Sequence, residues 1–413
     1  MKTDFDILIV GGGLVGASLA HALAGSGLRL GLLEAAPPAL PAAPGYDDRT
    51  LALAYGSRLV FEGLGVWEEI VRRAAPAPIE RIHISDRGRF GFTRLSAHDA
   101  GAPALGYVVS APMLGAVLYG ALAAQPDLTL LAPARVEGLA LGDEAARVRA
   151  RLAEGDCELS ARLVVAADGA DSPLRAAAGL EAQRIDYGQS AVVSAVTPER
   201  PHGYTAYERF TESGPLALLP ASATHCAVVW TVAAADVDTV LGWDDATFRA
   251  HLEARFGERL GALERVGRRR AYPLALTRVP RQVRPRLVVI GNAAHTVHPV
   301  AGQGFNLGLR DVAALAEVLY ECAAAGADPG ALAPLERYAA WRARDNRVIL
   351  GFTHTLARVF PSRVPPLVLA RDLGLIAVDL LPPVKRALVR VTSGLAGRRP
   401  RLALGRALQP PPA

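Results

Sequence analysis

The sequence predicts an α/β protein: a Rossmann-type nucleotide-binding domain on a parallel sheet, an antiparallel β-sheet lobe inserted into it, and a C-terminal helical segment. Three observations predict it. The short β-branched run Asp6–Val10 enters Gly11-Gly12-Gly13 and then an Ala- and Leu-rich helix, and buried strands of the same kind return at Leu163–Ala167 and Arg286–Gly291. Between those two returns, from Ser190 to Val232, strand-like runs succeed one another with turn residues and no helix between them. The last stretch is helical, with breaks at Pro361, Pro365-Pro366 and Pro382-Pro383.

In chain order, Leu14–Ala24 is the first helix and Leu28–Glu34 the second strand, closing a βαβ unit of about 30 residues. A proline-rich loop (Pro37, Pro38, Pro41, Pro44) precedes a helical stretch over 57–73. Arg81–Thr93 alternates around the turn Asp86-Arg87-Gly88, as a hairpin does. Met113–Ala124 is helical, and 128–131, 136–141 and 146–152 read as short strands. A helix covers 245–262 and a long one runs from about Asn306 to Ala325. These readings give a nucleotide-binding domain over 1–75, 101–182 and 284–345, a sheet lobe over 76–100 and 183–283, and a helical region with a basic tail over 346–413.

At 413 residues there is room for roughly two to three domains. With 51% hydrophobic and 21% charged residues, general disorder is excluded. Cys157, Cys226 and Cys322 lie far apart and match neither a disulfide framework nor metal-ligand spacing, which fits a reducing, cytoplasmic setting. Net charge is +5, but seven basic and no acidic residues lie from Leu380 onward, so the excess belongs to the tail and argues against a nucleic-acid face. Lys385, Arg386 and Arg390 sit among apolar residues there, a pattern suited to peripheral contact with the inner face of the cytoplasmic membrane. Asp4 and Asp6 spoil a signal peptide, and the glycines at 11–13 turn the apolar run Ile7–Leu23 into strand, turn and helix rather than a membrane span.

The sharpest motif is Gly11-Gly12-Gly13-Leu14-Val15-Gly16 between a strand and a helix. Gly11 permits the tight turn, Gly13 lets a pyrophosphate approach the backbone, and Gly16 lets helix and strand pack closely. The helix N-terminus then offers unpaired N–H groups to the phosphates. Glu34 ends the second strand, where a carboxylate takes both ribose hydroxyls and disfavours a 2′-phosphate; FAD and NAD(H) both remain open at this point. A second motif, VVAADGADSPLR, carries Asp168 at a strand end. The third, LVVIGNAAHTVHPVAGQGFNLGLRD, places Asn292, then Gly302 and Gly304, before a new helix; the glycines let a flat ring approach, and the helix start stabilises negative charge on it. His295 and His298 have no third ligand nearby, so no metal site is expected.

In this order and spacing the three motifs resemble the aromatic-ring hydroxylase group of flavoprotein monooxygenases, over nearly the whole chain. DDRTLALAYGSRLVFEGLGVW, HISDRGRFGFTRL, TAYERFTESGPLALLP and GNAAHTVHPVAGQGFNLGLRDVAALAE are similar to the ubiquinone-biosynthesis hydroxylases, and among them to the 2-polyprenyl-6-methoxyphenol hydroxylase branch. The resemblance implies a glutathione-reductase-like FAD domain, FAD as cofactor, NADH or NADPH as a transient co-substrate without its own Rossmann domain, and O2 acting on a polyprenyl phenol. Other ubiquinone-biosynthesis proteins would be partners. Gly11, Gly13, Leu14, Val15, Gly16 and Glu34 would then hold the ADP half of FAD, Arg49 would lie near the pyrophosphate, and Asp168 in the second fingerprint. Asn292 would meet the ribityl chain, Gly302, Gln303, Gly304, Phe305 and Asn306 would line the isoalloxazine, and Tyr207 would face the substrate to polarise its hydroxyl. Two departures stand out: Asn292 where the wider family has Asp, a feature the polyprenyl branch shares, and Ser110-Ala111-Pro112 where an Arg often begins the helix. The rival readings are a sister hydroxylase acting at another ring carbon or on a small aromatic acid, and a non-catalytic flavoprotein subunit that binds a prenyl quinone.

Overall fold

The computed structural model describes residues 3–408 apart from Pro38 and Arg363, so Pro38 of the proline-rich loop lies outside the described residues. Five parallel strands carry the site, in the order Leu287–Val289, Gly155–Ala166, Phe5–Val10, Leu30–Leu33 and Leu128–Leu131. Ile7 pairs with Leu163 on one side and with Leu30 on the other. Alternation along Phe5–Val10 feeds two layers. Ile7 and Ile9 pack under the helices Leu14–Ala22, Ala111–Leu122 and Gln303–Ala324, whereas Leu8 and Val10 pack with Val148 and Ala150 of an antiparallel strand pair. From Phe5–Val10 the chain moves outward to one side, then returns to build the other side from Gly155–Ala166. The point where the order reverses lies between those two strands, and in such sheets the ligand crevice opens there.

The second sheet has nine strands and includes Gln183–Pro198, Thr205–Thr211, Gly214–Pro220, Cys226–Ala233 and Arg270–Arg278, with Arg81–Asp86 and Phe92–Ser96 at one end. One face is sealed by the helix Asp245–Phe256, whose Phe248, Leu252 and Phe256 pack with Trp230 and Val192. The other face looks toward the nucleotide domain.

A small third sheet of Thr50–Ala54, Gly106–Ser110 and Ala77–Ile79 bridges the two lobes. Sequence patterning missed it, because three of the five residues in Thr50–Ala54 are small or polar and show no clear alternation. The helical region consists of Leu332–Val359, Pro365–Leu380 and Pro382–Thr392. Arg371 ties it to the sheet lobe through Asp86 (2.7 Å) and joins two of its helices through the Phe360 carbonyl (2.5 Å). The basic segment after Thr392 is not a free tail. Leu402 and Ala403 are buried in the nucleotide-domain core with Val60 and Phe61. Trp341 Nε1 donates to the Arg398 carbonyl at 2.9 Å while the Arg398 guanidinium lies 4.2 Å over the Trp341 ring. Among the described residues, no helix is long and apolar enough to cross a membrane.

Candidate active site and cofactor cleft

The glycine turn sits at the reversal point. Gly11 has φ +100°, and a Cβ there would lie 2.4 Å from the Ala167 carbonyl oxygen. A Cβ at Gly16 would meet the Gly11 oxygen at 1.9 Å, so helix and strand touch through bare backbone. Gly13 differs: a Cβ on it would meet nothing within 4 Å, and no side chain caps the helix it starts. Its backbone faces open space with free N–H groups, the arrangement that receives a phosphate. Leu14 and Val15 line the same opening. Glu34 closes the turn from the second strand: its carboxylate accepts from Gly12 N at 2.7 Å and Ala36 N at 3.0 Å, and Tyr119 Oη donates to the Gly12 carbonyl at 2.6 Å.

Asp168 comes at the end of the neighbouring parallel strand. Burial raises the affinity of its carboxyl for a proton; one oxygen accepts from Leu174 N at 3.3 Å, and the other is buried without a partner. A buried acceptor of this kind has room for a further donor, and its neighbours Ala167, Gly169 and Ala170 border the cleft. Arg175, of the same motif, donates to the carbonyls of Ala170 (2.9 Å) and Ala293 (2.8 Å), so the second and third motifs are joined. Arg49 is exposed at the cleft, with its guanidinium 5.5 Å over the Tyr272 ring, and Asn292 is exposed toward the cleft.

The third motif splits into lining and scaffold. Gly302 and Gly304 border the cleft at the start of the helix Gln303–Ala324. Gln303, Phe305 and Asn306 border it too, but the polar groups of the Gln303 side chain are taken up by the protein, donating to the Ala301 and Thr392 carbonyls and accepting from Arg310. Asn306 is buried and saturated: it accepts from Ala54 N (2.8 Å) and Ser57 Oγ (2.7 Å) and donates to the Ala52 (2.8 Å) and Gly302 (2.6 Å) carbonyls. It pins the small sheet to the glycine loop. Phe305 stacks with Phe61 at 6.4 Å.

The two histidines sit in separate settings, and among the described residues no group of three or more His, Cys, Asp or Glu is arranged to hold a metal ion. His295 Nε2 lies 2.6 Å from Asp311, which is fully buried and also takes Arg342 Nε at 2.8 Å and Gly291 N at 3.1 Å. His298 is buried edge-on to Tyr187, and burial pushes it down to about 4, so it stays neutral at physiological pH.

The cofactor cleft continues without interruption into the sheet lobe as one cavity of about 1120 Å³. Its far wall is apolar, with Ile82, Ile84, Leu95 and Leu219 from the sheets and Leu356, Leu375 and Leu388 from the C-terminal helices. The structure does not bring the Tyr207 ring to this wall. Tyr207 borders the cavity, but its ring packs edge-on against Phe256 at 5.4 Å and lies 6.0 Å from His83, on the helix-covered side. Strand alternation sends the next residue, Glu208, inward with Ala206 and Phe210. It is half-buried on the cavity wall beside the Ala301 backbone, and burial pushes its carboxyl up to about 7. Sequence reasoning passed over Glu208; the signal available was a charged residue in a strand whose flanking Ala206 and Phe210 share its face.

The residues fit FAD: an open glycine-backed helix start, a buried acceptor without a partner at Asp168, and a second helix start behind Gly302 and Gly304. Comparison with known proteins agrees. The FAD binding domain family matches residues 4–347. The ubiquinone hydroxylase UbiL of Rhodospirillum rubrum is 40% identical over 97% of this chain and 92% of its own. The 3-demethoxyubiquinol 3-hydroxylase of Escherichia coli is 32% identical over 94% of this chain and 98% of its own. Among solved structures, p-nitrophenol 4-monooxygenase PnpA from Pseudomonas putida DLL-E4 superposes with a TM-score of 0.77 at 22% identity, covering 97% of this chain and all of that one, so the fold is shared.

Proposed function

The chain belongs to the FAD binding domain family, and from that premise we propose that it is an FAD-dependent NAD(P)H monooxygenase that hydroxylates the ring of a polyprenylated methoxyphenol in ubiquinone biosynthesis. The observation that carries this reading is the continuity of the cavity: one space joins the phosphate-receiving turn at Gly13 to an apolar wall in the sheet lobe and the C-terminal helices. When bound, the flavin supplies the activation of O2 after reduction by the nicotinamide. The protein's own share is to place, enclose and dry the reactants. Gly11, Gly13 and the helix start receive the pyrophosphate, Asp168 offers an acceptor, and Asn292 stands ready for the ribityl chain. The Gly302–Gly304 loop, held in place by Asn306, leaves room for a flat ring, and Ile84, Leu219 and Leu375 take the hydrocarbon of the substrate away from water.

The C-terminal helices supply an apolar route. Leu375, Val378 and Leu388 line the cavity, while Leu369, Leu373, Leu380 and Leu381 of the same helices are exposed beside Lys385, Arg386 and Arg390. This face docks on an anionic membrane surface and admits the prenyl chain from it. Co-sedimentation with vesicles containing an anionic lipid tests the contact: binding that falls with salt and on Lys385→Ala with Arg386→Ala is expected, and salt-independent absence of binding overturns it.

The reaction itself is tested by mixing the FAD-loaded protein with NADH or NADPH and a short-chain prenyl methoxyphenol, first without oxygen and then with isotopically labelled O2. Phenol-stimulated bleaching of the flavin and one labelled oxygen in a hydroquinone product are expected. Tight FAD binding with no phenol effect on its reduction overturns the reading in favour of a binding subunit.

A further inference from the structure

Resting on the phenol-hydroxylase reading, we propose that Glu208, on the cavity wall beside the Ala301–Gly302 loop, is the group that takes the proton from the substrate's phenolic hydroxyl. The geometry comes from two elements that meet here. Ala206, Glu208 and Phe210 share the inward face of the strand Thr205–Thr211. Around them Phe210 stacks on Phe360 at 3.4 Å, and Val300, Ile84 and Leu375 complete an apolar cluster. A lone carboxylate among such neighbours has no structural pairing to serve. The N–H of Ala301, the residue before Gly302, lies beside it on the cavity wall and favours its charged form. Ala301 itself has φ +59°, a left-handed conformation that an L-residue seldom takes, so the loop presents that N–H at a conformational cost.

The other charged groups on the cavity wall are Asp47, Asp48, Arg49, Arg268, Arg270 and Arg371. Asp48 is tied to Gly45 N, Asp47 to Arg268 N and Arg371 to Asp86, and none of the six acts on Glu208, whose proton affinity is set by burial and by Ala301. Burial lifts Glu208 to about 7, which narrows the gap to a phenol and makes it a better-matched base than an exposed carboxylate. In the step, the phenol O–H bond breaks, its electron pair stays on oxygen, and the proton moves to a Glu208 oxygen; nothing is oxidised or reduced. The ring gains electron density at the carbons ortho and para to that oxygen, where an electrophilic oxygen atom is to be received.

The test uses the oxidised, FAD-loaded protein and a 4-nitro derivative of a prenyl methoxyphenol, which is already a phenolate in mildly alkaline buffer. Binding such an anion beside Glu208 requires the carboxylate to pick up a proton. Calorimetry in buffers of different ionisation heat should therefore give uptake of about one proton per bound probe for the wild type and none for Glu208→Gln. Glu208→Asp, which keeps the titrating group, should restore part of the uptake. With the unmodified phenol, turnover of Glu208→Gln should fall by about 100-fold or more with FAD content unchanged. Equal proton uptake by wild type and Glu208→Gln, or turnover of that variant within about threefold of wild type, overturns the assignment while leaving the hydroxylase reading intact. Failure of either protein to bind the probe overturns that reading and this inference together.

Discussion

Tyr207 and Glu208 are consecutive residues of one strand whose side chains leave it in opposite directions: the tyrosine ring meets Phe256 at 5.4 Å under the helical cover, and the glutamate borders the cavity beside Ala301. A single-residue difference in phase exchanges the two faces of a strand, so the residue with the more familiar phenolic chemistry is the one directed away from the reaction. Tyr207→Phe should therefore leave phenol turnover within about threefold of wild type. A loss comparable to that of Glu208→Gln would place the tyrosine hydroxyl in the cavity after all.

Glu208 also makes stability depend on pH. A free glutamate titrates at 4.5, and in the folded protein burial moves it up to about 7. Below about pH 4.5 both folded and unfolded chains hold the proton and the group costs nothing. As pH rises through about 7, the folded chain must keep a desolvated carboxylate, and stability falls by up to about 3 kcal/mol, less to the extent that the cavity admits water. Glu208→Gln removes this term. Its melting temperature should exceed that of wild type at pH 8 and match it near pH 4.5; an offset of the same size at both values would show that the carboxylate is not desolvated.

Gly13 and Gly16 separate cofactor binding from folding. A methyl group at Gly16 would sit 1.9 Å from the Gly11 oxygen, whereas one at Gly13 would meet nothing within 4 Å, on a backbone with φ −60° that alanine accepts. Gly16→Ala should destabilise the protein by several kcal/mol, on the order of other overpacked core sites. Gly13→Ala should melt within about 1 kcal/mol of wild type when free of FAD yet bind FAD about tenfold or more weakly, since the methyl fills the space the pyrophosphate needs. Fluorescence titration with FAD distinguishes the two. Unchanged affinity in Gly13→Ala would remove Gly13 from the phosphate site.

These contrasts show what the sequence could and could not disclose. The turn at Gly11–Gly16 was legible because its determinants are local: a strand, three roles for glycine and a helix within a dozen residues. The buried parallel strands were legible for the same reason, as unbroken apolar runs. Glu208 was not, since its inward direction depends on which face of Thr205–Thr211 the helix Asp245–Phe256 covers, and that is a relation across dozens of residues. Gln303 and Asn306 lay inside the right motif, yet their side chains serve the scaffold; only their partners at Thr392 and Ala54 show this. The burial of Leu402 and Ala403 was masked by the arginines around them.

The third motif is anchored by a buried charge pair whose removal should be severe. Asp311 is fully buried; burial alone would raise its affinity for a proton, but His295 and Arg342 hold it down to about 2. The same carboxylate accepts from Gly291 N, so the turn that presents Asn292 to the cofactor cleft hangs on it. Arg342→Met leaves that carboxylate buried without its guanidinium, a loss of about 3–5 kcal/mol. The sign with pH comes from the depressed value: the pair's contribution is complete above the free carboxyl's 3.8 and is lost as pH falls toward about 2, worth roughly 2 kcal/mol across that window. Acid unfolding monitored by circular dichroism should therefore show Arg342→Met unfolding at higher pH than wild type, with FAD affinity falling alongside as the Gly291 turn loosens. Arg342→Lys keeps the charge but not the forked contacts to Asp311, Asp345 and Asn346, and should lie between the two. An acid midpoint unmoved in Arg342→Met would mean that Asp311 is held by His295 and Gly291 alone.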